Sequence, residues 1–483
     1  MSTTVRLPMR ALSLDALRGL AILLMLFSSE IPFHVLPSWM YHAQVPPPEH
    51  VFNPNLPGIT WVDLVFPFFL FAMGAAIPLA LSRRLEKGTS YYAIIGSVLL
   101  RGVLLVGFAI YVMQIRPYVI SKQPNTGTWI QALIGFALLF PVLARLPDNW
   151  NSKLKTVIRL LGLAGAATLM LTTTFNDGKG FSPYRFDIII LVLANVSVFG
   201  SLIWLLTKRN WLFRIGFLGI LLAMRLSSTY DGWVHWIWTV TPASFVYQFR
   251  FLQYLFITIP GTIIGDILLS WMKPSSKEPV NNILGDIHAS EFSWTKPRLI
   301  LISLLVIFLN VLLVVGLKAR LVLATSLVSL ILIALTWYLV KNANNGTEKT
   351  ISKIFQWGTY WLILGLIFEA YEGGIKKDPA TISYYFVTSG LAMFLLIFFI
   401  IAVDVFKKER WLRLLIQNGQ NPLVAYAGIN SLIPPILALT KLDGVIQAIT
   451  PTPWLGVLRG AFLTYLVALA TRFFTKQRIF LRT

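Results

Sequence analysis

Long apolar runs broken by short polar connections dominate this chain. Runs lie near residues 12–33, 61–82, 92–114, 128–145, 155–173, 185–207, 211–226, 251–271, 298–316, 320–340, 355–371, 381–404, 416–438 and 452–474. Most approach the ~20 residues that a helix needs to cross ~30 Å of hydrocarbon. No water reaches that layer, so each backbone N–H and C=O must be satisfied inside its own segment, which requires helix. The short alternating strands of a membrane barrel are absent from the pattern. The expected fold is all-α: a polytopic integral membrane helix bundle of about fourteen transmembrane spans, with both termini cytoplasmic.

The polar connections set the orientation. No Lys or Arg lies between Arg18 and Arg83, so the connection holding His34, His42 and His50 is expected outside. The next connection carries Arg83, Arg84 and Lys87 and is expected inside. The alternation continues through Lys208/Arg209/Arg214, Lys341/Lys349/Lys353 and Lys407/Lys408/Arg410/Arg413 on the inner side. The longest polar break, 273–297, is rich in Pro, Ser and Asn and reads as a cytoplasmic linker. It divides an eight-span half, 1–272, which includes the external loop 34–60, from a six-span half, 298–483.

Composition narrows the class. Of 483 residues, 56% are hydrophobic and 13% charged, about half the charged share of a soluble domain. The net charge of +21 is distributed in clusters between apolar runs, which fits topology and contact with anionic membrane lipids and not nucleic acid. Cys is absent, which removes disulfides, thiolate nucleophiles and Cys-ligated zinc. The first apolar run follows Arg6 and Arg10 but is span-length and carries Asp15 and Arg18, so it is expected to be a retained helix. No Gly-rich phosphate loop and no paired His at metal-ligand spacing occur, and no metal is expected.

Several polar positions stand out against this background. In SLDALRG, Asp15 and Arg18 share one helical face. They form either an internal ion pair with Arg18 snorkelling to the interface, or a site where Arg18 meets a phosphorylated donor. In the external segment 39–74, Thr60 and Asp63 have the spacing of a capping box with Asp in place of Glu, opening the second span. His42 and His50 are the titratable candidates there. Trp233 and Trp236, in 229–250, fit an interfacial aromatic belt or a stacking floor for a sugar. Gly261 and Gly265 in IPGTIIGD are spaced for close helix packing. Glu369 and Glu372 lie at an external membrane edge, with Lys376 and Lys377 following. In NGQNPLVAY, Asn421 and Pro422 mark a helix start on the inner side.

SLDALRG, the short external loop, the His42-Ala43 pair and ITWVDLVFPFFLFAMG together resemble the heparan-alpha-glucosaminide N-acetyltransferase family, and more closely a bacterial branch of unknown function in the same transmembrane acyltransferase superfamily. The likeness is concentrated in the first 85 or so residues and recurs weakly at IPGTIIGD, GIKKDPATISYYFVTSG and GQNPLVAY. The resemblance implies acetyl transfer from cytoplasmic acetyl-CoA to a sugar amine or hydroxyl across the membrane. It implies His42 as the base or transient acetyl acceptor. Asp63 would orient it, Arg18 and Asn421 would contact the donor, and Trp233, Trp236 and Glu369 the saccharide acceptor. The chain departs from the family pattern in an insertion containing PPPEHVFNPN, in Ser28, Ser29 or Glu30 where an Asn is usual, and in Gln131-Ala132 where Gln-Arg is usual.

The expected function is therefore a membrane-bound acetyltransferase acting on a glycan at the far face of a bacterial inner membrane, with self-association left open. The alternative is a secondary transporter or flippase for a sugar or lipid-linked sugar, without acyl transfer.

Overall fold

A computed structural model describes residues 11–33, 35–147, 149–273 and 293–482. Most of the 273–297 break lies outside the described residues. Among the described residues thirteen helices are long and apolar enough to cross a membrane. In chain order with one further span, they are α1 (Leu12–Ser29), α2 (Trp61–Glu86), α3 (Tyr91–Gln114), α4 (Thr126–Leu143), α5 (Ser152–Thr172), α6 (Ile188–Thr207), α7 (Trp211–Ser227), α8 (Phe249–Met272), α9 (Lys296–Lys318), α10 (Val322–Val340), α11 (Gly346–Gly373) and α12 (Ile382–Val405). An amphipathic α13 (Glu409–Gln420) follows, then α14 (Pro422–Leu439) and α15 (Pro453–Lys476). The protein is a polytopic helical membrane protein.

The added span is α7, which at 17 residues is slightly short of the others. Its ends are tied to opposite faces. Arg214 pairs with Asp266 near the end of α8 at 2.7 Å, and Arg225 pairs with Glu372 at the end of α11 at 2.8 Å. Counted with α7, the described residues hold fourteen candidate spans, an even number that puts the two described ends on one face. There Arg482 N donates to Leu143 O at 2.9 Å, while Gly419 lies against Asp15 at the start of α1.

Predicted and observed spans agree closely, with three shifts. The first helix stops at Ser29 and not residue 33. The run near 355 begins earlier, at Gly346, where Asn345 and Glu348 form a capping box. The run near 416 is two elements, because Pro422 has no N–H to continue α13 and opens α14 instead.

Helices α2 and α12 are the most deeply buried, and small residues let their neighbours approach. A Cβ added at Gly265 would meet Ala75 O at 2.4 Å, and one at Gly261 would meet Phe71 O at 2.5 Å. The spacing noted in the sequence thus places α8 directly on the α2 backbone. A second contact joins α1 to α13: a Cβ at Gly19 would lie 1.8 Å from Leu415 O, and one at Gly419 1.9 Å from Asp15 O. The eight-span and six-span halves are therefore interleaved, with α1 against α13 and α2 against α12.

Candidate active site

Thr60 is extended, and the chain turns into α2 at Trp61. The Asp63 carboxylate reaches back to cap the helix: Thr60 N donates to Oδ2 at 2.9 Å, as the capping spacing predicts. Ala43 N donates to the same oxygen at 3.1 Å. Tyr384 on α12 donates its hydroxyl to Asp63 O at 2.7 Å. One buried carboxylate therefore holds the helix start and the 41–43 loop together.

Its other oxygen, Oδ1, lies 2.7 Å from His42 Nδ1. That contact assigns the ring proton to Nδ1, since a carboxylate accepts and does not donate. Nε2 keeps its lone pair. Asp63 is almost wholly buried while the His42 side chain is 40% exposed, so the ring is anchored at one nitrogen and open at the other.

Lys377 completes the cluster. Its Nζ lies 3.1 Å from Nδ1 and 3.4 Å from Nε2 of His42, and 4.0 Å from Asp63 Oδ1. Burial pushes its ammonium pKa down, against the pull of the Asp63 and Asp378 carboxylates. Gln44 delivers this lysine. Its Nε2 donates to Asp378 O at 2.5 Å, and its Oε1 accepts from Asp378 N at 2.9 Å. Lys318 Nζ adds a bond to Ala43 O at 3.3 Å, and Gly58 N donates to Ile375 O at 2.7 Å. The external loop and the turn after α11 form one rigid rim.

The other candidate residues lie elsewhere. Glu369 is buried, and its Oε1 accepts from Arg320 at 2.5 Å and from Ile375 N at 3.3 Å. It braces the turn that carries Lys377. Trp233 and Trp236 lie on a helical turn, Trp233–Thr239, that packs on α7 and the start of α8; both rings are largely exposed. His50 sits with φ at +51°, its ring edge-on to Tyr41 at 4.4 Å and to Phe33 at 5.2 Å.

Arg18 and Asn421 lie away from this cluster, toward the inner ends of α1 and α14. Arg18 donates from Nη2 to Ala72 O and from Nη1 to Gly419 O, each at 3.2 Å, and pairs with Asp15 at 3.4 Å. Both alternatives for Arg18 thus begin from a real ion pair, but the guanidinium reaches inward to α2 as well. Asn421 is buried; its Nδ2 donates to Ile479 O at 2.8 Å and its Oδ1 accepts from Leu481 N at 3.2 Å. It fastens the C-terminal segment.

Between the two charged ends lies a small apolar cavity. It is lined by Ile22 and Met25 of α1, Phe66 and Phe69 of α2, and residues of α6 and α14 that include Leu193 and Tyr426. On α2 the order is Asp63, the cavity, then Ala72 with Arg18. These nine residues of helix cover about 14 Å. Among the described residues no three His, Asp or Glu side chains come together as a metal site.

Residues 10–268 match a family model described as Domain of unknown function (DUF5009). The chain belongs to this family. The DUF5009 match runs from α1 into α8 and so contains His42, Asp63 and Arg18, while Lys377 lies beyond it. The chain is also similar to heparan-alpha-glucosaminide N-acetyltransferase of Homo sapiens, 32% identical over 108 residues, which are 22% of this chain and 14% of that protein. The Mus musculus protein of the same name is 29% identical over 99 residues, 20% of this chain and 13% of the relative. The alignments thus span a small part of either relative's length. They relate this DUF5009 protein, over that part, to an N-acetyltransferase.

Proposed function

We propose that this protein is a membrane-bound acyltransferase, carrying an acetyl group from cytoplasmic acetyl-CoA to a saccharide amine or hydroxyl at the other face of the cytoplasmic membrane. One observation supports the reading: along α1 and α2, Arg18, a small apolar cavity and the His42–Asp63 pair follow one another over about 14 Å, from the middle of α2 to its outer end. That order places a cation on the inner side of the His42–Asp63 pair, as a donor with phosphates at one end and a thioester at the other requires. The relatives' name supports an amino sugar as acceptor.

In this reaction His42 Nε2 takes the proton from the acceptor amine or hydroxyl as that atom attacks the thioester carbonyl. Asp63 keeps the imidazole in the required tautomer and steadies the imidazolium that forms. A positioned base of this kind contributes about 10²–10⁴-fold. The carbonyl oxygen becomes an oxyanion, and the Lys377 ammonium beside the ring stabilises it. The carbon–sulfur bond then breaks, and the leaving thiolate takes the proton from His42. Arg18 contacts the donor; Asn421, with both ends of its amide engaged, positions the inner end of α14. Trp233 and Trp236 are suited to stack on a sugar near the outer interface.

The test is a proteoliposome assay. Acetyl-CoA is supplied at the Arg18 face and glucosamine at the His42 face. The reading predicts acetylated sugar at the second face and one free coenzyme A for each product. Sugar crossing the bilayer without donor and without acetylation is the result of the transporter alternative and contradicts it.

A further inference from the structure

Lys377 stands on the turn between α11 and α12, with its Nζ on the His42 ring, 3.1 Å from Nδ1 and 3.4 Å from Nε2. Among the described residues this Nζ has no other hydrogen-bond neighbour. The nearest carboxylate, Asp63, is 4.0 Å away and already accepts from the His42 ring, Thr60 N and Ala43 N. The side chain is mostly buried, and Gln44 holds the next peptide unit at both its N–H and its C=O, so the turn fixes this geometry. Because Asp63 takes the Nδ1 proton, the Nε2 lone pair is free to accept one from the lysine nitrogen. A nucleophilic atom within reach of a base that a third group orients is the arrangement of an activated nucleophile. Lys376, one residue earlier, points elsewhere: its Nζ is 3.5 Å from where a Cβ on Gly373 would stand.

We propose that Lys377 is itself an acetyl acceptor: when no saccharide is bound, the protein acetylates this Nζ and so disables its own site. The inference goes beyond the acyltransfer reading and rests on it for the donor, a thioester. In the step, the neutral Lys377 amine attacks the thioester carbonyl carbon and a carbon–nitrogen bond forms. His42 Nε2 takes the amine proton, the tetrahedral intermediate collapses and the carbon–sulfur bond breaks. The leaving thiolate then takes the proton from His42. The products are N-acetyl-lysine and free thiol, and no further reactant enters. Acetylation removes the charge beside the ring and fills the space where an acceptor would attack. Burial lowers the Lys377 pKa against the pull of Asp63 and Asp378, so the amine form is reached at lower pH than in a solvated lysine. The groups facing it are His42, Asp63 of α2, Asp378 on its own turn, the Tyr384 hydroxyl of α12 on Asp63 O and the Lys318 ammonium of α9 on Ala43 O. A rise in pH leaves both Lys377 and His42 unprotonated, and the modification should quicken.

The test is peptide mapping by mass spectrometry of the purified full chain, incubated with acetyl-CoA and no acceptor, with fragmentation that separates Lys376 from Lys377. Lys377 should gain an acetyl group about tenfold or more faster than Lys376 and the exposed Lys122. In His42→Ala that preference should vanish, leaving the three lysines at one slow rate. In proteoliposomes, later transfer to glucosamine should decline in step with acetylation of Lys377. Lys377→Arg, whose guanidinium is a poor nucleophile, should start slower and show no such decline. Wild type that transfers acetyl to glucosamine but modifies Lys377 no faster than Lys122 overturns this inference alone. So does selective modification that is equal in wild type and His42→Ala. Neither transfer nor modification of Lys377 overturns both this inference and the acyltransfer reading. Selective, His42-dependent acetylation of Lys377 without transfer to glucosamine supports this inference and contradicts the saccharide part of that reading.

Discussion

Gln44 and Asp378, 334 residues apart, exchange two hydrogen bonds through the Gln44 amide and the Asp378 backbone. This clamp sets Lys377 beside His42. Gln44→Ala removes both bonds from the Asp378 backbone, at about 0.5–1.5 kcal/mol for each. The variant should melt several degrees lower, and its turnover should fall more than its acceptor KM rises. Steady-state kinetics beside a melting curve check this; a variant with wild-type turnover would show that Lys377 needs no clamp.

Asp63 does two jobs with one carboxylate, capping α2 and fixing the His42 tautomer. Asp63→Asn keeps the size and an acceptor oxygen but lets the amide donate to Nδ1, which puts the ring proton on Nε2. Activity should drop about 10²–10⁴-fold. The lost charge at the helix start should cost only about 1 kcal/mol. A large fall in Tm with proportionate loss of activity would assign Asp63 to the cap alone.

Lys377 predicts the alkaline limb of the pH profile. Burial holds its pKa below that of an ordinary lysine. The charged form is therefore present at low pH and is lost, as pH rises, earlier than for a solvated lysine. Turnover should decline through that lowered pKa. Lys377→Arg, whose guanidinium stays charged, should remove or raise the limb while lowering the maximum. An unchanged limb in this variant would assign it to another group.

The packing of α1 on α13 predicts a fold defect. A methyl at Gly19 falls 1.8 Å from Leu415 O, a backbone atom with no rotamer to change. Gly19→Ala should reduce the yield of folded protein sharply. Gly96→Ala on α3, where nothing stands within 4 Å of the added carbon, should be tolerated. Size-exclusion profiles of the two variants give the comparison.

The fold was legible because it is written in local signals. Apolar runs of membrane length, the Thr60–Asp63 spacing and the Gly261–Gly265 pair each act within a few residues. The split between α13 and α14 was half legible: Asn421 and Pro422 marked a helix start, but the apolar run is nearly continuous across it and was read as one span. The site was only half legible. His42 and Asp63 share the first external loop and helix, whereas Lys377 comes 335 residues after His42 and no periodicity links them. Glu369 and Asn421 looked available as polar residues at membrane edges, yet each is engaged by partners distant in sequence, Arg320 and Leu481.

The account rests on His42 as the group that moves the proton. The direct measurement is acetyl transfer in proteoliposomes by wild type, His42→Ala and His50→Ala, each also tested for stabilisation by coenzyme A. His42→Ala should abolish transfer and keep the coenzyme A shift, because the donor's phosphates lie on the far side of the cavity. His50→Ala should retain most activity, its ring being packed against Tyr41 and Phe33. Near-normal transfer by His42→Ala, with loss in His50→Ala, would contradict the account and place the chemistry in the 44–58 insertion.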